Sequence, residues 1–203
     1  MSSDKKKLCE EGLKSRKREL RRQVRESVAV LDPDYCREAD RRILEHIVSL
    51  PEYGQAETVF CYVGRCDEID TLPVIERMIR EGKRVGVPVC VAKGIMEVRE
   101  IRGREDLEDG QYGILEPGQS CPVIHPGEID LALVPCMTCT REGVRLGYGG
   151  GYYDRYLSQE TVRFAKAVLC RGRMMSEEIP VDEHDAKMDI VISEEGIFRA
   201  PCP

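Results

Sequence analysis

The sequence predicts an α/β fold, a Rossmann-like three-layer α/β/α sandwich around a mostly parallel sheet, formed as a single domain. "TVFCYV" (58–63) and "RVGVPVC" (84–90) are buried-strand patterns on either side of a helix pattern, which implies a parallel βαβ unit. The 203 residues are also enough to bury a substantial core, and they contain no internal repeat or linker. We expect residues 1–13 to be a flexible extension, 14–198 the domain and 199–203 a C-terminal tail.

Apolar periodicity predicts three helices in the first half of the chain. One apolar stripe marks a helix that ends near residue 30, formed by Leu13, Leu20, Val24, Val28 and Leu31. Asp32 is placed to cap a second helix with Pro33 at its first position, and this helix ends before Pro51. The inner face of the second helix carries Ala39, Ile43 and Ile47. "DTLPVIERMIREG" (70–82) predicts a third helix, closed by Gly82.

The second half of the chain predicts further strands around a glycine-rich turn. "GIMEVREI" (94–101) alternates like an edge or hairpin strand. Residues 104–130 are rich in Gly, Pro and acidic residues, which favours a long surface connection with one helical turn at most. The remaining elements are a strand at 130–135, a helix from about Gly151 to Gln159, and strands at 163–170 and 188–193.

Composition and charge exclude several classes of protein. No apolar run approaches the roughly 20 residues of a membrane helix, and the N-terminus has no apolar signal region. We therefore expect a cytoplasmic protein without a membrane partner. The net charge is −6, but residues 1–25 hold ten basic residues against four acidic ones. This basic segment would suit nucleic acid, anionic lipid or a phosphorylated ligand. The acidic remainder, with three Phe and no Trp, argues against nucleic acid. From its size alone we expect a monomer.

The ten cysteines are scattered, which favours reduced side chains over a disulfide framework. The exception is "CMTC", in which Cys136 and Cys139 have the spacing of a redox dithiol or of half a zinc site. The sequence offers no second CxxC or clustered histidine to complete such a site, and the motif follows a strand rather than opening a helix. We interpret the pair as incidental.

The segment "RLGYGGGYYDRY" (145–156) indicates the chemistry. A strand, a glycine-rich turn and a helix together hold phosphates well, because glycine lets backbone N–H groups approach the anion. The segment lacks the GK[ST] ending of a P-loop, and Tyr152 stands where GxGxxG requires its third glycine. Glycine content alone fits equally well a tight turn whose tyrosines pack on the sheet.

Ordered motifs make the chain similar to a known family, that of 5-formyltetrahydrofolate cyclo-ligase, also called methenyltetrahydrofolate synthetase. The resemblance covers residues 14–195. Its motifs are "KRELR" (17–21), "DEIDT" (67–71), "YGILEP" (112–117), "DLALVP" (130–135) with "GVRLGYGGGYYDRYL" (143–157), and "HDAKMD" (184–189). The resemblance implies ATP-driven closure of 5-formyltetrahydrofolate to 5,10-methenyltetrahydrofolate. ATP would phosphorylate the formyl oxygen, N10 would attack the activated carbon, and ADP and phosphate would leave.

The resemblance also implies site residues. Lys17 and Arg145 are the expected catalytic cations, and ATP and Mg²⁺ are the expected cosubstrate and metal. The expected ATP site consists of Lys17, Arg21, Arg145, Leu146, Gly147, Tyr148, Gly149, Gly150, Gly151, Tyr152 and Tyr153. The expected folate site consists of Val63, Glu68, Tyr148, Gly149, Gly150, Gly151 and Tyr152. Asp185 and Asp154 are the expected metal ligands, although Asp154 suits a helix cap equally well. His184 is as consistent with a structural role as with a catalytic one.

The chain departs from the family at two places. Some members carry lysine where Gly150 stands, and many read Gly-Leu-x-Phe-Asp where this chain has "CMTCT" (136–140). The second departure puts the wall of the folate pocket in question. Three other functions remain open at this point: a non-catalytic relative that binds nucleotide or folate, a nucleic-acid-binding protein, and a redox or zinc protein using Cys136 and Cys139.

Overall fold

The structure is a computed structural model that describes residues 3–110 and 113–201, with side chains from Glu11 onward. Tyr112 of the "YGILEP" motif, Cys202 and the side chain of Cys9 lie outside the described residues. The described helices are α1 (Ser3–Ala29), α2 (Pro33–Ser49), α3 (Pro51–Gln55), α4 (Leu72–Arg80) and α5 (Tyr152–Leu157). The described strands are β1 (Thr58–Cys61), β2 (Arg84–Ala92), β3 (Ile95–Ile101), β4 (Leu107–Asp109), β5 (Leu115–Pro117), β6 (Val123–Ile124), β7 (Leu131–Val134), β8 (Thr138–Cys139), β9 (Arg145–Leu146), β10 (Ala165–Leu169), β11 (Ile190–Ser193) and β12 (Gly196–Arg199).

One eight-stranded sheet organises the fold, in the order β12-β11-β10-β7-β1-β2-β3-β6. The five central strands, from β11 to β2, run parallel to one another, and antiparallel strands flank them on both sides. Val59 of β1 pairs with Val85 of β2 on one side and with Leu131 of β7 on the other. The predicted mostly parallel sheet is confirmed, and its parallel strands end at one common edge.

Helices cover both faces of this sheet. Val59 and Cys61 of β1 pack in the same apolar cluster as Ile43 and Ile47 of α2, whereas Phe60 packs on the opposite face. The second face is covered by α5 through Tyr156 and Leu157. The period of two along a strand thus separates two cores, each built from fully buried side chains worth about 1.5–3 kcal/mol apiece. The three-layer α/β/α architecture is confirmed.

The helix boundaries follow the predicted caps closely. The Asp32 carboxylate accepts a 2.8 Å hydrogen bond from the Asp34 N–H, and Pro33 opens α2. The third predicted helix is shorter than its pattern, because α4 begins at Leu72 and ends at Arg80. Gly82 takes the positive φ of 80° that lets the chain turn into β2. Among the described residues, no helix combines the length and the apolar composition that a membrane crossing needs.

Residues 104–130 were predicted wrongly as a connection with one helical turn at most. This stretch contains strands β4, β5 and β6 and single 3₁₀ turns at Arg104–Asp106 and Pro126–Glu128. Strands of two or three residues show no alternation, so only their partners reveal them. β3 is a hairpin strand paired with β2 and β6, which leaves β6 at the edge. The sequence also missed β12, which pairs with β11 and includes Arg199 from the predicted tail.

Candidate active site

One cleft at the carboxyl edge of the parallel strands contains every predicted site residue. Its volume is about 1210 Å³, above the roughly 300–1,000 Å³ of a pocket for one small ligand. The predicted residues on its wall are Lys17, Arg21, Val63, Glu68, Arg145, Leu146, Gly147, Tyr148, Gly149, Gly150, Gly151, Tyr152, Tyr153, Asp154 and Asp185. They come from α1, the turn after β1, the glycine segment and the loop before β11. The cleft lies where open α/β sheets bind their ligands.

Lys17 is buried against an acidic loop on the opposite side of the cleft. Its Nζ lies 2.7 Å from Asp182 Oδ2 and 2.5 Å from Asp185 Oδ2. The Asp182 N–H also donates to Asp185 Oδ2 at 2.8 Å, so one lysine and one turn hold both carboxylates. The hydrogen bond from Lys17 lowers the pKa of Asp182. This geometry keeps a cation and two carboxylates at one end of the cleft.

Arg145 occupies the floor of the cleft, with only 3% of its side chain exposed. Its Nη2 lies 2.5 Å from Asp154 Oδ1, and its Nη1 donates to the Pro135 carbonyl at 3.2 Å. The guanidinium carbon is 5.7 Å from the centre of the Tyr153 ring. The buried Nε has no hydrogen-bond partner among the described residues. Arg145 is therefore held rigidly and retains one buried donor without a protein acceptor.

The glycine segment contains two residues with a positive φ, a backbone conformation that only glycine adopts without strain. Gly149 has φ 99° and Gly151 has φ 68°. The Arg21 Nε donates to the Gly147 carbonyl at 2.8 Å, and a Cβ on Gly149 would lie 3.4 Å from the Arg21 guanidinium. The segment is thus folded around cationic side chains, and its backbone faces the cleft.

The carboxyl end of β1 supplies the other wall of the cleft. The Glu68 side chain is 8% exposed, and its Oε2 accepts a 3.0 Å hydrogen bond from the Arg65 N–H. The Arg65 guanidinium carbon lies 4.7 Å from the centre of the Tyr148 ring. Partial desolvation, with the nearby Glu68 charge, raises the pKa of Tyr148, although 43% of this residue is exposed. This wall combines a carboxylate, an aromatic ring and an arginine.

Comparisons with known proteins identify the family of the chain. Residues 13–194 match the model of the 5-formyltetrahydrofolate cyclo-ligase family. The chain belongs to the 5-formyltetrahydrofolate cyclo-ligase family. It is 28% identical to a probable 5-formyltetrahydrofolate cyclo-ligase of Schizosaccharomyces pombe, covering 91% of this chain and 98% of the relative. It is 27% identical to the 5-formyltetrahydrofolate cyclo-ligase of Escherichia coli, covering 87% and 99%. The NMR structure of Aquifex aeolicus 5,10-methenyltetrahydrofolate synthetase matches with a TM-score of 0.79 and 26% identity, covering 92% and 94%.

These findings identify the chain as an enzyme of the cyclo-ligase family and confirm the sequence resemblance. The individual roles assigned to the cleft residues stay predictions. Two of the predicted residues have structural contacts of their own. Tyr153 stacks on Phe60 with 5.8 Å between ring centres, and Asp154 accepts from the Ala186 N–H at 3.4 Å. His184, in contrast, leaves 86% of its side chain exposed.

Sequence analysis assigned no role to several residues that line the cleft of this cyclo-ligase. Asp182 shares Lys17 with Asp185, Arg65 packs on Tyr148, and Arg155 donates to the Gly150 carbonyl at 3.0 Å. Asp182 lies two residues before the matched "HDAKMD" motif, which is the one signal that pointed toward it. Arg155 lies inside the matched glycine motif without having been assigned a role, and no period or spacing in the sequence marked Arg65.

A buried ion pair contacts the turn that carries Glu68, which forms one wall of the cleft, hereafter the Glu68 wall. Arg171 follows β10, and its Nε and Nη2 lie 2.7 Å and 2.9 Å from the two carboxylate oxygens of Asp40 in α2. The same Nη2 donates to the Glu68 carbonyl at 2.7 Å. The pair therefore joins α2, the end of β10 and the turn that carries Glu68. Sequence analysis named neither residue.

The "CMTCT" departure lies beside a third cysteine. The sulfur atoms of Cys136, Cys139 and Cys170, hereafter the thiol cluster, lie within 4.8 Å of one another. The Cys136 thiol donates to the Leu169 carbonyl at 3.3 Å, and the Cys170 thiol donates to the Arg171 carbonyl at 3.5 Å. The neighbouring thiols lower the pKa of Cys170 and raise that of Cys136. The interpretation of Cys136 and Cys139 as an incidental pair did not consider Cys170, which is distant in sequence.

Proposed function

We propose that the chain catalyses the ATP- and Mg²⁺-dependent cyclisation of 5-formyltetrahydrofolate to 5,10-methenyltetrahydrofolate. The γ-phosphoryl group of ATP transfers to the formyl oxygen, and ADP leaves. N10 then attacks the formyl carbon and loses its proton, and inorganic phosphate departs with the formyl oxygen. Phosphorylation is needed because the formyl oxygen is otherwise a poor leaving group. Family membership supports the overall conversion, and the cleft supports a physical account of each step.

The observation that carries this proposal is the convergence of Lys17, Arg21 and Arg145 on the glycine segment in one cleft. Phosphoryl transfer involves little covalent chemistry for the protein, so positioning and electrostatic stabilisation dominate its catalysis. Lys17 and Arg21 lie four residues apart on α1 and both reach the cleft. Together with Arg145 they provide three cations for a polyphosphate, next to a backbone that glycine leaves accessible.

Arg145 is the clamp on the transferring phosphoryl group in this proposal. A buried donor without an acceptor costs about 1–3 kcal/mol, and its Nε is such a donor. This Nε has almost no solvent access, so Arg145 would act on a phosphate through its positive charge, while the bonds to Asp154 and Pro135 hold the guanidinium in place. Because the side chain is already ordered, it stabilises transition-state charge without reorganising.

The acidic side chains of the cleft fit Mg²⁺. That ion prefers one or two carboxylates completed by phosphate oxygens and water, and Asp185 and Asp154 would hold it. Each carboxylate already pairs with a cation of the cleft, Asp185 with Lys17 and Asp154 with Arg145. When bound, Mg²⁺ neutralises polyphosphate charge and orients the phosphates.

The Glu68 wall receives the folate in this proposal. Glu68 would accept hydrogen bonds from the amino and ring N–H groups of the pterin, and its 8% exposure leaves little water to compete. Val63 lines the same side of the cleft, while the rings of Tyr148 and Tyr152 provide flat apolar surfaces with polar tips. The formyl group would then lie toward the glycine segment, where the phosphates are held.

The test is an absorbance assay for the methenyl product with purified chain, Mg²⁺, ATP and 5-formyltetrahydrofolate. We expect ATP-dependent product in the wild type and a loss of roughly 10- to 100-fold in kcat/KM for Arg21→Ala, since a charge-assisted hydrogen bond contributes about 1.5–3 kcal/mol. The matched control is Arg22→Ala. Arg22 neighbours Arg21 on α1 but pairs with the exposed Glu19 and Glu26, and its loss should leave kcat/KM unchanged.

Two results would contradict the proposal. Equal activities of the Arg21→Ala and Arg22→Ala variants would remove Arg21 from the phosphate site. A folded wild-type chain that binds 5-formyltetrahydrofolate but forms no product with ATP would instead indicate the non-catalytic binding relative.

A further inference from the structure

The thiol cluster arises from strand pairing, which brings two distant cysteines side by side. β7 and β10 are adjacent parallel strands, with Val134 opposite Val168. Cys136 and Cys170 each follow those paired residues by two positions, so both emerge at the same level of the sheet edge. The short β8–β9 hairpin then brings Cys139 back, and the three sulfur atoms come within 4.8 Å of one another.

This arrangement is close to the geometry of a metal bound by three thiolates. Zinc–sulfur bonds of about 2.3 Å place the sulfurs of a shared ion roughly 4 Å apart. The sulfurs of the thiol cluster, all within 4.8 Å of one another, are close to that separation. Cys139 and Cys170 are buried, which shields the sulfurs from solvent, whereas Cys136 is partly exposed.

The surroundings of the cluster provide access and compensating charge. Cys136 and Cys170 line a cavity of about 240 Å³ that also exposes the thioether residues Met137 and Met174. Cys139 pairs across its hairpin with Arg145, whose positive charge lies next to the thiols. An ion could enter through the cavity, and a thioether or water there could complete its coordination.

We propose that Cys136, Cys139 and Cys170 form a binding site for one soft d¹⁰ metal ion, Zn²⁺ or Cu⁺, at the end of β7 and β10. Thiolate sulfur selects these ions over Mg²⁺, which takes oxygen ligands, so the site is chemically distinct from the proposed Mg²⁺ site in the cleft. A bound ion would cross-link β8 and the ends of both strands directly behind Arg145. The site requires no phosphoryl chemistry and therefore stands or falls independently of the proposed function.

The experiment uses the full chain, reduced with a phosphine and stripped by a chelator that is then removed. Zn²⁺, and in a separate anaerobic arm Cu⁺, are titrated in competition with a chromophoric chelator. We expect one equivalent per chain in at least one arm and at least about 100-fold weaker binding in Cys170→Ser, because a serine hydroxyl does not replace the thiolate ligand that these ions prefer. Binding in one arm identifies the ion, and no stoichiometric binding in either overturns the proposal.

A matched control separates the cluster from cysteine loss in general. Cys121 is buried like Cys170 but lies outside the cluster, so Cys121→Ser should bind the ion as the wild type does. Equal weakening in both variants would overturn the proposal. A second measurement needs no variant: the ion should slow alkylation of Cys136 at least about tenfold while leaving the exposed Cys66 unchanged, as read by peptide mass spectrometry. Unchanged alkylation of Cys136 in the presence of a bound ion would place the ion elsewhere.

Discussion

Replacing Arg171 with methionine tests the buried support behind the Glu68 wall. The Arg171 and Asp40 side chains are 8% and 15% exposed and form two hydrogen bonds of 2.7 and 2.9 Å. Removing one partner of a buried ion pair costs about 3–5 kcal/mol because the other charge stays buried. Asp40 keeps a 3.1 Å hydrogen bond from the Asp70 N–H, which favours the lower end. We expect Arg171→Met to lower the free energy of unfolding by about 3 kcal/mol.

Urea denaturation followed by circular dichroism measures this loss, and a thermal scan should show a Tm lowered by about 6–12 °C for a chain of this length. The double variant Asp40→Asn/Arg171→Met leaves no unpaired charge. It should therefore lose at least about 1 kcal/mol less than the sum of the two single variants. Arg41→Ala is the control on α2, because its pairs with Glu38 and Glu45 are exposed and should contribute less than about 1 kcal/mol.

The same variant has a functional readout, since Arg171 also donates to the Glu68 carbonyl at 2.7 Å. We expect KM for 5-formyltetrahydrofolate to rise more than kcat falls in Arg171→Met. A loss below about 1 kcal/mol, or additive single variants, would refute the argument that this pair is energetically coupled across α2 and β10.

Three further predictions follow from contacts in the cleft. Gly151→Ala should lose about 1–2 kcal/mol in urea denaturation because alanine is strained at φ 68°. Gly54→Ala, in a helix where an added Cβ would meet no atom within 4 Å, should instead gain about 0.5–1 kcal/mol. Lys17 lowers the pKa of Asp182 in the folded chain below its ordinary value of 3.8. The ionised Asp182 carboxylate therefore stabilises the fold above pH 3.8, and this stabilisation is lost as the pH falls through the lowered pKa. The Tm difference between wild type and Asp182→Asn should therefore be present at neutral pH and disappear in acid, and a difference that persists in acid would contradict this. Glu68→Gln should raise KM for 5-formyltetrahydrofolate roughly 10-fold or more with kcat changed less, and an unchanged KM would remove Glu68 from the folate site.

Much of the fold was readable from local signals. Asp32 and Pro33 predicted the start of α2, since capping depends on neighbouring residues alone. Apolar runs at residues 58–63 and 84–90 predicted β1 and β2, because a strand buried on both faces is continuously hydrophobic. Strands β4, β5 and β6 were missed because two or three residues carry no period of their own, and pairing with distant strands stabilises them.

The candidate site likewise combines features that local sequence predicts with contacts that depend on distant parts of the chain. The sequence by itself determined which residues the proposed chemistry calls on, since the glycine segment, the Lys17–Arg21 spacing and Glu68 all lie in motifs that it displays. It could not determine that Arg171 joins Asp40 to the Glu68 carbonyl, or that Cys170 meets Cys136 and Cys139. Those contacts depend on the register of parallel strands far apart in the chain, which local sequence does not encode. Only the tertiary structure decided them, because strand order and register bring the ends of β1, β7 and β10 to one edge of the sheet.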